Sequence, residues 1–251
     1  MLTVRRSAER RHTGKENQTT WMTFDRENKA DRLRDGFGSL KMLNEEILPH
    51  GRTIMLHTHT HKAMVIVTYV EEGVIIYHGP LERSDMLEEG DFHRINVSPE
   101  DHEYNFNAIL SGYTHVFQSG FTADFNSMEP GGRKKLFTHA DRHGILKLIA
   151  SPDGRAASLP IQQDVFMYSA VIRAGQHLVH KLNPGRNAWL HVVKGGILAN
   201  GLHLQTGDGA GFSDESSVSI AAEQATEILL FDLAKSEVKA EALTSPASNR
   251  G

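Results

Sequence analysis

Three histidines alternate with threonines in one short run, and they are the residues of this chain best suited to chemistry. The run is His57-Thr58-His59-Thr60-His61. Because successive side chains of a strand point to opposite faces, an extended backbone would place all three imidazoles on one side. Two neighbouring imidazoles, with one or two ligands from a facing strand, can bind one divalent transition metal. The run therefore predicts part of a metal site, against the alternative of a surface strand with solvated histidines.

A second polar cluster, Asp101-His102-Glu103, follows further along the chain. Strand alternation would place Asp101 and Glu103 on one face and His102 on the other. An irregular backbone after Ser98-Pro99 would turn His102 inward instead. The residues alone leave open which of these side chains meets the histidines.

The chain becomes apolar directly after the first histidines. By the same alternation, Ala63 and Val65 are predicted to face inward with the imidazoles. This pattern favours a metal site at the mouth of a barrel, above a dry core.

The elements that must position these residues are short strands. From Gly36 onward, runs of β-branched and aromatic residues are bounded by glycine, proline or acidic turns, a pattern typical of barrels and sandwiches. The run Met64–Val70 is an example, and Val165–Ile172 is another. A turn signal at Ser151-Pro152-Asp153-Gly154 lies between the two halves.

An internal repeat defines the architecture. Residues 68–75 resemble residues 190–197, and each copy is followed by a Leu-x-x-Gly-Asp turn, at Leu87–Asp91 and at Leu204–Asp208. This succession is typical of small cupin barrels, whose tight turns need the positive φ of glycine. We predict an all-β bicupin, two double-stranded β-helix (jelly-roll) barrels packed together.

The repeat also divides the chain. The prediction assigns residues 1–135 to an N-terminal barrel with an arm and the metal site, 136–233 to a C-terminal barrel, and 234–251 to a flexible tail. The two copies are 122 positions apart, counted from Gly73 to Gly195.

The same offset predicts a metal-free C-terminal barrel. It carries His59 and His61 onto Lys181 and Asn183, which are not a ligand pair for a transition metal. Four histidines of this half are then expected to be structural or exposed: His177, His180, His191 and His203.

Composition excludes several functions. Lys plus Arg number 27 against 31 Asp plus Glu, a net charge of −4, so no general field attracts nucleic acid or anionic membranes. The basic run Arg5, Arg6, Arg10 and Arg11 is expected to be a solvated segment rather than a nucleic-acid arm. We therefore expect no direct nucleic-acid binding and no membrane partner.

The chain has no cysteine, which excludes disulfides and thiolate ligands, so any metal must use His, Asp or Glu. No apolar run approaches the roughly 18 to 20 residues that cross a bilayer, and the N-terminus does not resemble a signal peptide. These features predict a cytoplasmic protein.

Several short motifs resemble those of the pirin family in the same order. His59-Thr60-His61-Lys62, followed by Thr68-Tyr69-Val70-Glu71-Glu72-Gly73, is similar to the pirin motif His-Pro-His-Lys/Arg and its downstream Glu-Gly turn. Residues 21–24 and 36–40 resemble the pirin N-terminal segment, and residues 189–195 and 229–233 its C-terminal barrel. The resemblance covers most of residues 3–233.

The resemblance implies one metal ion in the N-terminal barrel. It implies His59, His61, His102 and Glu103 as ligands, with Glu103 also as the catalytic proton-transfer group. The family's third histidine aligns with Asp101, so Asp101 and His102 remain alternatives. Iron(II) is the implied metal, with zinc, manganese, nickel and copper as alternatives, and no organic cofactor is implied.

The resemblance also implies two alternative functions. Some bacterial pirins are quercetin 2,3-dioxygenases, which would make this chain an oxygenase acting on a flavonol-like small molecule. Other relatives are non-catalytic regulatory proteins with a protein partner. A monomer is expected in either case. Tyr69, Phe92 and Tyr104 are candidates for a stacking wall, with ordinary core packing as the stronger interpretation.

Overall fold

The computed structural model describes residues 1–15, 18–55, 63–79, 84–98, 104–109, 112–123 and 131–235. These residues form 22 strands, one short helix α1 (His139–Arg142) and two 3-10 turns, Ser7–Glu9 and Arg155–Ala157. None of the helices in the described residues has the length and apolar character needed to span a membrane.

The strands of the first half are β1 (Leu2–Arg5), β2 (Arg11–Lys15), β3 (Gln18–Met22), β4 (Leu40–Pro49), β5 (Thr53–Met55), β6 (Met64–Glu72), β7 (Val74–His78), β8 (Ser84–Glu88), β9 (Asp91–Val97), β10 (Asn105–Ala108), β11 (Tyr113–Thr122) and β12 (Arg133–Leu136). Those of the second half are β13 (Lys147–Ser151), β14 (Leu159–Pro160), β15 (Val165–Ile172), β16 (His177–Lys181), β17 (Arg186–Lys194), β18 (Gly196–Ala199), β19 (Leu202–Gln205), β20 (Gly209–Phe212), β21 (Ser217–Ala222) and β22 (Thr226–Ala234).

Each half pairs a seven-stranded sheet with a four-stranded sheet. The first half has the orders β12-β9-β6-β11-β4-β3-β2 and β5-β10-β7-β8, and the second half has β1-β20-β17-β22-β15-β13-β14 and β16-β21-β18-β19. The central order β9-β6-β11-β4 corresponds strand by strand to β20-β17-β22-β15. The predicted all-β duplication is therefore confirmed.

The two copies of the repeat match residue by residue in the structure. Strands β6 and β17 are both nine residues long and lie 122 positions apart. The glycines that follow them, Gly73 and Gly195, have φ of +88° and +93°, and a Cβ on either would collide with Thr114 or Thr226 at 2.7 and 2.5 Å. The two Gly-Asp turns also match, since Asp91 accepts a hydrogen bond from the Glu88 N–H at 2.9 Å and Asp208 from the Gln205 N–H at 3.1 Å.

Three apolar layers run through the described residues, because the two large sheets face each other as well as their own small sheets. Met64 and Ile66 of β6 line the N-terminal barrel. Val65, Val67 and Tyr69 of the same strand lie in the layer between the barrels. Burial on both faces explains why this strand reads as a continuous apolar run.

The structure decides two predictions about these side chains, of which one is wrong and one is confirmed. Val65, expected to face the barrel interior, packs in the layer between the barrels. The preferred interpretation of Tyr69 and Phe92 as core residues, rather than a stacking wall, is confirmed. Both lie in the same layer, where their rings stack 4.3 Å apart and the Tyr69 hydroxyl donates to Glu227. Tyr104 does line the N-terminal barrel.

The N-terminal arm connects the halves. Strand β1 pairs with β20 of the second half, with Leu2 opposite Phe212. The expectation of a solvated basic segment is wrong for Arg5 and Arg10, which are buried in ion pairs with Asp31 and Glu45. Each of these arginines needs a carboxylate partner, because a buried guanidinium without one would strongly oppose folding.

A charged chain continues from Arg10 across the layer between the barrels. His115 lies between two carboxylates, with Nε2 3.0 Å from Glu45 and Nδ1 2.9 Å from Glu71. Glu71 also meets Lys194 of the second half at 3.2 Å. Burial alone would lower the pKa of His115, but the hydrogen bonds to both carboxylates outweigh it and raise the pKa to about 9. The imidazolium therefore links the arm and both barrels at neutral pH.

This linkage predicts a pH-dependent stability. Below the ordinary histidine pKa of 6.5 the contribution of His115 is fully present, and it is lost as the pH rises through about 9. We expect the wild-type advantage over His115→Gln to be roughly 3 kcal/mol at pH 6 and to fall towards zero by pH 10. Urea unfolding of both proteins across this range measures the difference.

The comparison isolates His115, since both proteins keep Glu46, a neighbouring carboxyl whose pKa burial raises to about 7. His203→Gln is the control, because that histidine is exposed and pairs with Glu223 on the surface. An advantage that is constant from pH 6 to pH 10 would contradict a charged His115.

Candidate metal and ligand site

The predicted metal ligands lie outside the described residues. His57, His59 and His61 belong to 56–62, and Asp101, His102 and Glu103 belong to 99–103. The assignment of ligands and of a catalytic role to Glu103 therefore stays a prediction. What the structure describes is where both segments begin and end.

The residues that flank the two segments are neighbours in the sheets. Segment 56–62 joins β5 to β6, and segment 99–103 joins β9 to β10. Met55 of β5 lies opposite Asn105 of β10, and Met64 of β6 lies opposite Val97 of β9. The described residues on either side of the two segments therefore lie at adjacent positions, on the same end of paired strands.

The barrel below these flanking residues is lined largely by buried hydrophobic side chains. The hydrophobic residues of this lining come from both sheets: Leu48, Ile54, Met64, Ile66, Val70, Ile75, Tyr77, Leu87, Ile95, Val97, Tyr104, Phe106, Ala108 and Val116. Tyr104 donates its hydroxyl to the Asn96 carbonyl at 3.0 Å. The residue before it in sequence is Glu103.

One polar side chain in this lining was missed by sequence analysis. His93 of β9 shares the parity of Ile95 and Val97, which places it on the barrel side of the sheet. It is 1% exposed, and its ring packs edge-on against Tyr77 with centroids 4.7 Å apart. Within the described residues, Nδ1 of His93 has no hydrogen-bond partner. Burial lowers the pKa of His93 to about 4, so the imidazole is neutral at pH 7.

The signal for His93 lay in the repeat. His93 is opposite Thr68, and Ala210 is opposite Leu190, which is the repeat partner of Thr68. An alignment of the two Gly-Asp turns alone would have matched His93 with Ala210. It would thereby have identified His93 as a polar residue at a core position.

The corresponding end of the C-terminal barrel has a different character. Residues 182–185 and 213–216 occupy the positions of the two histidine-bearing segments in the sequence of strands. Residues 182–185 and 214–216 border an open cavity of about 310 Å³. Its charged groups are already paired, Arg186 with Asp164 at 2.7 Å and Lys235 with Asp214 at 2.8 Å. The position aligned with His61 is Asn183, in this cavity wall.

The histidines of the second half have structural or surface positions, as predicted. His177 and His203 are exposed, and His180 bonds Asp232 at 2.8 Å. His191 is fully buried in the layer between the barrels, where its ring meets Phe117 at 5.8 Å.

Comparison with known proteins agrees with this architecture. Residues 148–233 match a family profile described as a quercetinase C-terminal cupin domain. A protein of Escherichia coli strain K12 named quercetin 2,3-dioxygenase is 30% identical over 93% of this chain and 99% of its own length. The chain belongs to the pirin family.

Solved pirin structures share the whole fold. Bacterial pirin YhhW from Escherichia coli, in complex with nickel(II), has a TM-score of 0.83 at 29% identity, covering 94% of this chain and all of that one. A pirin-like protein of Caulobacter vibrioides is 28% identical over 79% of this chain and 84% of its own length. The pirin resemblance found in the sequence is thereby confirmed.

The fit of His93 in this pirin generates a stability prediction. Gly132 lies close to the imidazole of His93, and a Cβ added to this glycine would lie 2.5 Å from the Nε2 atom. Because the ring is buried and packed against Tyr77, we expect Gly132→Ala to cost about 1 to 3 kcal/mol of unfolding free energy.

The partner variant is His93→Ala, which removes the clash. In the double variant the Gly132→Ala cost should shrink by at least about 1 kcal/mol, measured as the coupling in a double-mutant cycle by urea unfolding. Additive effects would mean that the ring and Gly132 do not touch.

Proposed function

We propose that this pirin is a metal-dependent dioxygenase of the quercetin 2,3-dioxygenase type, with one divalent transition metal in its N-terminal barrel. The observation that carries the proposal is the strand register. It brings the ends of the segment with His59 and His61 beside the ends of the segment with His102 and Glu103. The Escherichia coli relative of this name supports the assignment of the activity.

The donor set fits a divalent transition metal. His59, His61 and His102 would hold the ion through imidazole nitrogen, and Glu103 would complete the set through a carboxylate oxygen, a combination that suits iron, nickel, manganese, copper and zinc. The relative solved with nickel(II) is compatible with this class. Iron(II) is the proposed ion. When bound, it would supply a Lewis-acid centre for the oxygens of a flavonol.

The protein's own groups would perform two tasks. Glu103 would accept the proton of the flavonol hydroxyl and hold it on its carboxylate, so that the ligand reacts as an anion. The apolar lining, with Ile66, Ile95 and Phe106 fully or almost fully buried, would exclude water from that anion. The division of the chain at 135/136 and a location in the cytoplasm belong to the same proposal.

A regulatory pirin without turnover is the second candidate. The observation in its favour is the displaced ligand cluster, in which Asp101 stands at the family's histidine position and the histidine follows one place later. Such a protein would bind the metal but would not catalyse the dioxygenase reaction. The experiment on the metal site distinguishes the two functions.

The proposal predicts metal-dependent oxygen uptake. Iron-reconstituted protein should contain about one equivalent of iron per chain and consume oxygen with quercetin, and His59→Ala should lose both. Elemental analysis and an oxygen electrode measure the two quantities. His177→Ala is the matched control, because that histidine is exposed on the other barrel. Iron without uptake would support the regulatory function, and two equivalents would contradict a single site.

The third ligand can be identified separately. We expect His102→Ala to lower the iron content more than Asp101→Ala does, since imidazole binds this class of metal more tightly than a competing carboxylate. The reverse order, by the same elemental analysis, would make Asp101 the ligand.

A further inference from the structure

The interior of the N-terminal barrel contains one imidazole that the proposed metal site does not use. His93 is buried to 1% exposure, and Nδ1 lacks a hydrogen-bond partner in the described part of the chain. A buried nitrogen without a partner has lost its hydrogen bonds to water and has gained none in return, which is unfavourable for folding. The residue therefore opposes folding at a site where an apolar side chain would be neutral or stabilising.

The C-terminal barrel shows that the fold does not need this group. The strand pairing that aligns the two barrels matches His93 with Ala210, and it matches Tyr77 with Ala199. Both alanines are fully buried in the apolar core of their own barrel. The same sheets thus close around two alanines in one half and around a histidine and a tyrosine in the other.

The surroundings of His93 form an aromatic wall that leads towards the proposed metal site. Its ring lies 4.7 Å from Tyr77, and Tyr77 lies 5.2 Å from Phe106 and 6.4 Å from Tyr104, all as ring centroids. Phe106 is opposite both Ile54 and Tyr77 in the small sheet. The wall therefore extends to the residues that flank segments 56–62 and 99–103.

The geometry points to a ligand-binding role for this wall: His93 hydrogen-bonds a hydroxyl of a planar phenolic ligand through Nδ1, and the ring of Tyr77 packs against the ligand. The inference rests on the proposed function, whose flavonol it positions. A neutral imidazole presents one donor and one acceptor, and a phenol hydroxyl can serve either. Aromatic and aliphatic neighbours favour a flat, weakly hydrated ring over a sugar or a phosphate.

The charges around His93 fit a neutral ligand. Burial has the largest effect and lowers the pKa of the imidazole. Asp85 raises this pKa, whereas Lys134 and Arg94 lower it. Lys134 is itself 3.3 Å from Asp85, so neither charge is directed at the ring without a counter-ion. The imidazole is then available as a hydrogen-bonding group over the whole neutral pH range.

The test is quercetin binding to iron-loaded protein under argon, where no turnover occurs, with catechol as a smaller probe. We expect His93→Leu to weaken quercetin binding about 3- to 10-fold, the value of one hydrogen bond. We expect His93→Asn to keep most of the affinity, because its amide can return a polar atom near the position of Nδ1. Fluorescence quenching gives both constants.

Thermal unfolding of the metal-free protein separates a ligand role from a structural one. His93→Leu should unfold at the same or a higher temperature than wild type, because the unpaired nitrogen is gone. His191→Leu is the matched control, since His191 is also fully buried with both ring nitrogens unpartnered in the described residues but lies between the barrels. Its quercetin affinity should equal that of wild type.

Three outcomes would overturn the inference. These are an unchanged quercetin affinity in His93→Leu, a lowered unfolding temperature of metal-free His93→Leu, which would indicate a structural role, and a wild type that binds neither quercetin nor catechol. The proposed function fails on other readings, namely the absence of iron or of oxygen uptake. Quercetin binding that depends on His93 without uptake would retain the inference and reject the dioxygenase.

Discussion

Burial of the central strands on both faces is the constraint on which the rest of this pirin depends. Strand β6 and its neighbour β9 contact their own small sheet on one side and the opposite barrel on the other. Alternate side chains along one strand therefore belong to different cores. A shift of one residue would exchange the two sets, so the register that holds the barrels together is the same register that lines the candidate site.

The fold was predictable because its signals are local and occur twice. Glycine at positive φ, as at Gly73 and Gly195, followed by a Gly-Asp turn can be recognised in a few residues, and the repeat then supplies the topology. The alternation of side chains along a strand was less informative. Alternation separates the side chains of β6 into two sets, but it does not say which set faces the small sheet, and Val65 was assigned to the wrong one. With two apolar faces, neither polarity nor spacing distinguishes them.

Contacts between distant segments could not be predicted from the sequence, for a different reason. Arg10, Glu45 and His115 each look like ordinary surface residues, and only the pairing of the arm, β4 and β11 makes them one buried chain of charges. The candidate ligands His59 and His61 could be named because their chemistry lies in a single motif. His93 has no motif of its own between Phe92 and Arg94, so only an alignment of the two Gly-Asp turns marks it as a polar residue at a core position.

The two barrels together indicate how a duplicated fold can separate stability from chemistry. In the C-terminal barrel the matched positions are Ala199 and Ala210, which pack in the hydrophobic core of that barrel and stabilise its sheets. In the N-terminal barrel, Tyr77 and His93 replace them, at a cost in buried polarity. Because the layer between the barrels is shared, apolar burial in one half stabilises the sheet that the other half uses to hold polar groups. Apolar packing in the second barrel can thus offset the cost of the polar groups buried in the first.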